Sequence, residues 1–276
     1  MGGVGKATVG GWDRRRLLVA LAAVAGAAML LLLGLGYAAY VALTFATGTS
    51  KPAPATAPAH VAPVSQTARG AARQDKIASA PMLAVGPADA RATIPAAVAG
   101  PTITIPASTR QGPAGVPAGF PHTPEGAVAQ LAAIETTVLQ PMSIAATNHV
   151  YEQWALPGGV GVAGWEITQD VQAFLGTAQM GPAKDITTTV VPTPAAAQVK
   201  GSDGPDWVLA CVLLDMRATI TADAAMGYGH CERMTWHAGR WMIAAGTPPA
   251  RAPSTWPGSD LSIKAGWRTW VGGQQQ

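Results

Sequence analysis

Residues 207–220 read WVLACVLLDMRATI. Every second residue, from Val208 through Ala210, Val212, Leu214, Met216 and Ala218 to Ile220, is apolar. A two-residue period of this length belongs to a strand with one buried face in an antiparallel sheet, not to a helix. The flanks carry the same reading outward. Asp203-Gly204-Pro205 is a turn before the strand. A further strand runs from about Met226 to Trp236, and His237-Ala238-Gly239-Arg240 turns into Trp241-Met242-Ile243-Ala244. Upstream, Ile186 to Val191 reads as a strand, with Gln198 to Lys200 as an edge.

Residue 221 lies midway between the two cysteines, Cys211 and Cys231. A hairpin turning near Thr221-Ala222-Asp223 sets them opposite each other, within the reach that disulfide geometry requires. A Cys211–Cys231 disulfide is therefore expected, with two buried free thiols as the alternative.

Before the strands the period is helical. Thr123, Pro124 and Glu125 form a helix start, with Thr123 as N-cap and Pro124 in the first position. Ala127, Leu131, Ile134 and Val138 follow on one face. Pro141 ends that helix and opens a second, through Ile144, Val150, Tyr151 and Trp154. A third passes through Ile167, Val171, Phe174 and Leu175. Three helices followed by a curved antiparallel sheet is an α+β layout. Its order resembles the NTF2-like, or cystatin-like, cone. After the sheet, a Pro-rich tail carries Trp256, Trp267 and Trp270, with Ser259-Asp260-Leu261 opening a short helix. These tryptophans mark a docking surface if they stand outside the core. Otherwise the tail folds back to cap the domain.

The rest of the chain divides into three stretches. Residues 17–43, LLVALAAVAGAAMLLLLGLGYAAYVAL, carry no charge. As a helix they reach about 40 Å, more than the ~30 Å of a hydrocarbon core. Residues 1–16 read as a basic cytoplasmic tail, with Arg14, Arg15 and Arg16 against the span. On the far side only Lys51 lies close, so the rest of the chain is expected outside the cell. The apolar run is longer than a cleaved signal peptide needs, which favours an uncleaved anchor. Residues 47–119 contain no Phe, Trp or Tyr and many prolines, and are expected to be a disordered extracytoplasmic linker. Residues 120–276 are the expected folded domain. The sequence pI near 9.0 comes from the tail and linker. The stretch from 120 onward holds eight basic against twelve acidic residues, which argues against nucleic-acid binding. The basic linker suits contact with anionic wall polymers.

No catalytic constellation, cofactor site or metal site is expected. Gly2-Gly3-Val4-Gly5-Lys6-Ala7-Thr8 looks like a phosphate loop but lacks a strand before it and a helix after it. His230 and Cys231 are adjacent, so on a strand they point to opposite faces and do not converge on a metal. Asp206, Asp215, His230 and Glu232 are candidate polar residues at the mouth of the cone.

Three stretches carry a wider resemblance: Gly119 to Gln130, the run from Trp207 to Trp241 with Gly227-Tyr-Gly-His-Cys-Glu-Arg233, and Trp256 to Trp270. With the span and the Pro/Ala-rich arm, they resemble envelope proteins of actinobacterial conjugative and integrative elements. The architecture is also similar to the VirB8-like and TcpC-like scaffolds of type IV secretion. The resemblance implies a non-enzymatic, single-pass membrane scaffold with an extracytoplasmic interaction domain. Its expected partners are the membrane, other envelope or secretion components and a second copy of itself. The alternative is a surface module that holds a small ligand or a wall polymer in the cone.

Overall fold

The computed structural model describes residues 70–272, which fall within one compact unit, Ser65–Gln276. The expected span at 17–43, the tail before it and the linker up to residue 69 lie outside the described residues. Among the described residues no helix is long and apolar enough to cross a membrane.

In chain order come helix α1 (Ala71–Ser79) and strands β1 (Thr102–Thr104), β2 (Arg110–Gln111) and β3 (Pro117–Ala118). Helices α2 (Pro124–Leu139), α3 (Ile144–Trp154) and α4 (Glu166–Thr177) follow. Strands β4 (Thr189–Ser202), β5 (Trp207–Thr219), β6 (Asp223–His237) and β7 (Arg240–Ile243) come next, then α5 (Asp260–Lys264) and β8 (Arg268–Val271). The six-stranded sheet has the order β1-β8-β4-β5-β6-β7. Its pairs are antiparallel except β1 with β8. The chain is therefore α+β, three helices leading into an antiparallel meander.

The helix starts lie where the capping residues put them. Thr123 Oγ1 accepts from the Gly126 amide at 3.1 Å, and Ser143 Oγ from Ala146 at 3.4 Å. Helix α2 is buried along nearly its whole length. It packs with Val208, Ala210, Val212 and Leu214 of β5, which defines the inner face of the sheet. Strand β4 is a single strand, so the expected edge at 198–200 is its continuation. Pro192 and Pro194 fit in it because β8 pairs with β4 only at Ala196 and Ala197, leaving 189–194 on an edge. Register shifts at 194–196 and 199–201 bend the strand.

The outer face differs from the expectation of a half-buried sheet. Residues 207–214 of β5 are buried on both sides. Trp207 and Leu209 pack against Ile77 and Ala78 of α1. Cys211, Leu213 and Cys231 pack against Met82, Ala252 and Trp267. Segments from both ends of the unit thus cover this face. The expected disordered linker is corrected here: from residue 70 onward it folds onto the sheet. The segment lacks aromatics to build a core, but it needs none where it completes a core that β5 supplies.

Polar contacts fix α1 in place. Asp203 accepts from the Gly70 amide at 2.7 Å and from Gln74 at 3.1 Å. Arg233 pairs with Asp75 at 2.8 Å. Lys200 Nζ donates to the carbonyls of Ala78 and Ala80. The tail lies close over β6, where Gly227 and Gly229 both face outward. A Cβ on Gly229 would lie 2.8 Å from the Pro253 carbonyl oxygen, and one on Gly227 would overlap the Thr255 carbonyl.

Candidate functional site

The inner face of β6 departs from apolar patterning at Tyr228, His230 and Glu232. Opposite them, α2 places Glu135 in the middle of an otherwise apolar helix, and α4 brings Glu166 and Asp170. The result is a cluster of ionisable groups in the core of the domain.

His230 is at its centre, 2% exposed. Its Nδ1 lies 3.4 Å from Glu166 Oε2 and its Nε2 3.6 Å from Glu232 Oε2. These contacts are ion pairs, and neither ring nitrogen makes a well-formed hydrogen bond. Burial by itself pulls the imidazolium pKa down. Glu166 and Glu232, with Glu135 behind them, outweigh it and hold the pKa well above the ordinary value. The two carboxylates beside it favour the protonated form of His230. Its charge in turn lowers the pKa of Glu166, which Arg251 also approaches at 3.2 Å.

Glu232 is anchored on both oxygens. Oε2 accepts from the Trp165 indole N–H at 2.9 Å, and Oε1 from the Arg233 amide at 3.0 Å. Trp165 leans on Tyr151, with ring centroids 5.2 Å apart. Tyr228 donates to Asp170 at 2.7 Å. Burial raises the pKa of both, Tyr228 well above its ordinary value.

Glu135 differs from its neighbours. It is fully buried, and neither carboxyl oxygen has a hydrogen-bond partner. Burial pushes its pKa up to about 8. At neutral pH it is mostly a neutral acid, the cheaper form of an unpaired carboxyl in an apolar setting.

A small cleft opens beside the cluster, lined by Tyr151, Trp165, Glu166, His230 and Glu232 and closed over by Gly246 to Pro249. It holds about 30 Å³, room for a water or two. The cluster is thus committed to its own internal pairs and can hold a charge pattern. Among the described residues, no group of three or more His, Cys, Asp or Glu is placed to hold a metal ion.

The expected mouth residues separate into two groups. His230 and Glu232 come together in the cluster. Asp206 does not, because it precedes the first residue of β5, where it meets His122 at 2.8 Å and that ring stacks on Trp236. Asp215 pairs with Arg217 on its own strand at 2.9 Å. Cys211 and Cys231 are opposed in register and joined by a disulfide on the outer face. The tail tryptophans form no exposed surface together. Trp267 is 2% exposed and donates to the Pro253 carbonyl at 3.0 Å, while Trp256 and Trp270 are half-buried. The tail folds back because the outer face of β5 and β6 is apolar and would otherwise be bare.

Glu135, Glu166, Asp170, Tyr228 and Trp165 are members of the cluster that sequence reasoning missed. Two signals pointed to them. Tyr228, His230 and Glu232 alternate on a face that should be apolar, and Glu135 interrupts the core face of a helix. No family model, curated protein or solved structure matches the chain.

Proposed function

We propose that this chain is a membrane-anchored extracytoplasmic scaffold with an NTF2-like domain, serving a conjugative DNA-transfer or type IV secretion-like apparatus without catalysis of its own. One observation carries the choice of scaffold over enzyme or ligand cone. The interior between α2 and the sheet is filled by side chains, and the polar cluster beside it leaves only about 30 Å³. A cone that binds a metabolite needs several hundred cubic ångströms. The apolar run at 17–43 supports the anchor, and the Cys211–Cys231 disulfide supports an oxidising compartment.

The test is a cross-linked pull-down of the full-length chain from its native membranes, read by mass spectrometry. A scaffold brings down an ATPase, channel or wall-hydrolase component. Recovery of the chain alone, beside a control complex that cross-links well, counts against it.

A second reading has a specific observation in its favour. A surface groove of about 480 Å³ beside β1 is lined by Thr102, Ile103, Thr104, Pro106, Pro121, Thr123, Glu125 and Arg268. Open to solvent and lined by both polar and apolar side chains, it suits an extended wall polymer. Soluble wall fragments that raise the thermal midpoint of the protein would favour this reading.

A further inference from the structure

The ionic cluster ties the start of α4 and the tail to β6, alongside the apolar packing of Trp165 and Ile167 and the tail's own bonds from Ala244 to Arg233, from Arg233 to Thr247 and from Ala250 to Ala78. Glu166 opens α4, and Trp165 precedes it. Both are tied to β6 through His230 and Glu232. Arg251 of the tail reaches the same Glu166. Backbone bonds between these lids are few: Gly246 donates to the Gly158 carbonyl at 3.3 Å, and Leu156 to the Ile243 carbonyl at 2.9 Å. The loop before α4 and the segment after β7 thus meet over the cleft, with His230 beneath them.

We propose that this cluster is a pH-sensitive clamp, which holds residues 156–166 and 244–251 over the inner face while His230 carries a proton and releases them when it loses it. The charges around His230 dictate this. From α2 comes Glu135, from α4 Glu166 and Asp170, from β6 Glu232 and the Tyr228 hydroxyl, from α3 the Tyr151 hydroxyl, and from the tail Arg251. The facing residues of β5, Val212 and Leu214, are uncharged. Remove the imidazolium charge, and Glu166 and Glu232 face each other across a neutral ring, with Glu232 buried and Glu166 partly open to solvent. The remaining cation, Arg251, is 83% exposed and screened by solvent. Like charges in low dielectric repel strongly. Glu166 is a third exposed and sits at the start of a helix, so it is the carboxylate that moves out. It takes the α4 start and the tail with it.

The carboxylates around His230 hold its proton more tightly than solvent would, so the release comes as pH rises. Hydrogen–deuterium exchange on the full-length chain in detergent tests this, from about pH 6 to about pH 10, with intrinsic rates corrected for pH. Above the His230 transition, exchange in 158–166 and 244–251 should rise about tenfold or more while that of α1 and α2 holds. A rise that spreads evenly over the domain, or no rise, overturns the clamp. His230→Gln is never charged and should exchange fast in both segments at every pH. Slow exchange in that variant overturns the proposal. Glu135→Gln keeps the ring and perturbs the core less. Its transition should persist, with the midpoint moved to lower pH because a neighbouring negative charge is gone. Disappearance of the transition in Glu135→Gln would assign it to Glu135 and remove His230 from the mechanism.

Discussion

The two faces of the sheet solve opposite problems. On the outer face, Cys211, Leu213 and Leu209 are apolar and need covering, and chain from both ends of the unit supplies it. On the inner face, Glu135, His230 and Glu232 are ionisable and need compensating, and other ionisable groups supply that. The outer face gains from burial and from a covalent link. The inner face balances large desolvation costs against ion pairs, which seldom yields net stability. The main apolar core between α2 and the sheet carries most of the burial, the outer face adds its covering and a covalent link, and the response to pH is expected from the ionic cluster.

The outer face carries the largest predicted effect. Trp267→Ala removes a fully buried indole and leaves Pro253 without its donor. The loss should be about 4 kcal/mol, in the range for buried tryptophan truncations. Denaturant unfolding at neutral pH measures it. Near-native stability together with a lost partner would return Trp267 to a docking role. Next, Cys211→Ser with Cys231→Ser opens a link across 20 residues of sequence. The cost should be about 3 kcal/mol. Since the strands stay paired, circular dichroism of the folded state should hardly change.

On the inner face the sign reverses. Glu135 has a pKa of about 8 in the fold against 4.5 when exposed. Folding therefore takes up a proton between those values, and stability falls as pH rises through that window. The slope is about 1.4 kcal/mol per pH unit. Glu135→Met removes the group and should stabilise the protein by about 2 kcal/mol or more near pH 8, with little gain near pH 5. His230 acts in the same direction. Its raised pKa contributes stability that is complete below about 6.5 and is lost as pH climbs through the folded value. Glu166 acts oppositely, losing its contribution as pH falls through its lowered pKa. Paired stability measurements at the two pH values separate the groups. A Glu135→Met gain equal at both would mean that Glu135 is not the titrating burden.

Legibility in the sequence follows the same division. The caps at Thr123 and Ser259, the alternation in β5 and the spacing of the cysteines all rest on local rules, and the helices, the meander and the disulfide follow from them. Composition, by contrast, misjudged residues 70–119. The expectation of disorder follows from what the segment lacks, whereas α1 is ordered by Trp207 and Leu209, more than a hundred residues away, and Ile103, Ile105, Val116 and Ala118 by the main core. The odd positions of β5 held the signal. Trp207, Leu209, Cys211 and Leu213 are as apolar as the even ones, which marks a strand covered on both faces. In the cluster, His230 and Glu232 were visible as polar residues on an inward face. Glu135 was visible as a break in the core face of α2, but its pairing with them, and the place of Glu166 and Asp170 on α4, were not, since which helix faces which strand is a property of the fold.

The smallest predicted effect tests how far the inner network reaches toward solvent. Arg251 contacts Glu166 at 3.2 Å but is 83% exposed. An exposed ion pair contributes less than about 1 kcal/mol, so Arg251→Ala should barely move the unfolding midpoint. Its charge nonetheless helps to keep Glu166 ionised, and its stem ties the tail to α4. The variant should therefore show faster local exchange at 244–251 with global stability unchanged, and added salt should produce the same shift in the parent protein. A loss of global stability in Arg251→Ala would mean that the tail contact belongs to the covering of the outer face, and the division between the two faces would no longer hold at this edge.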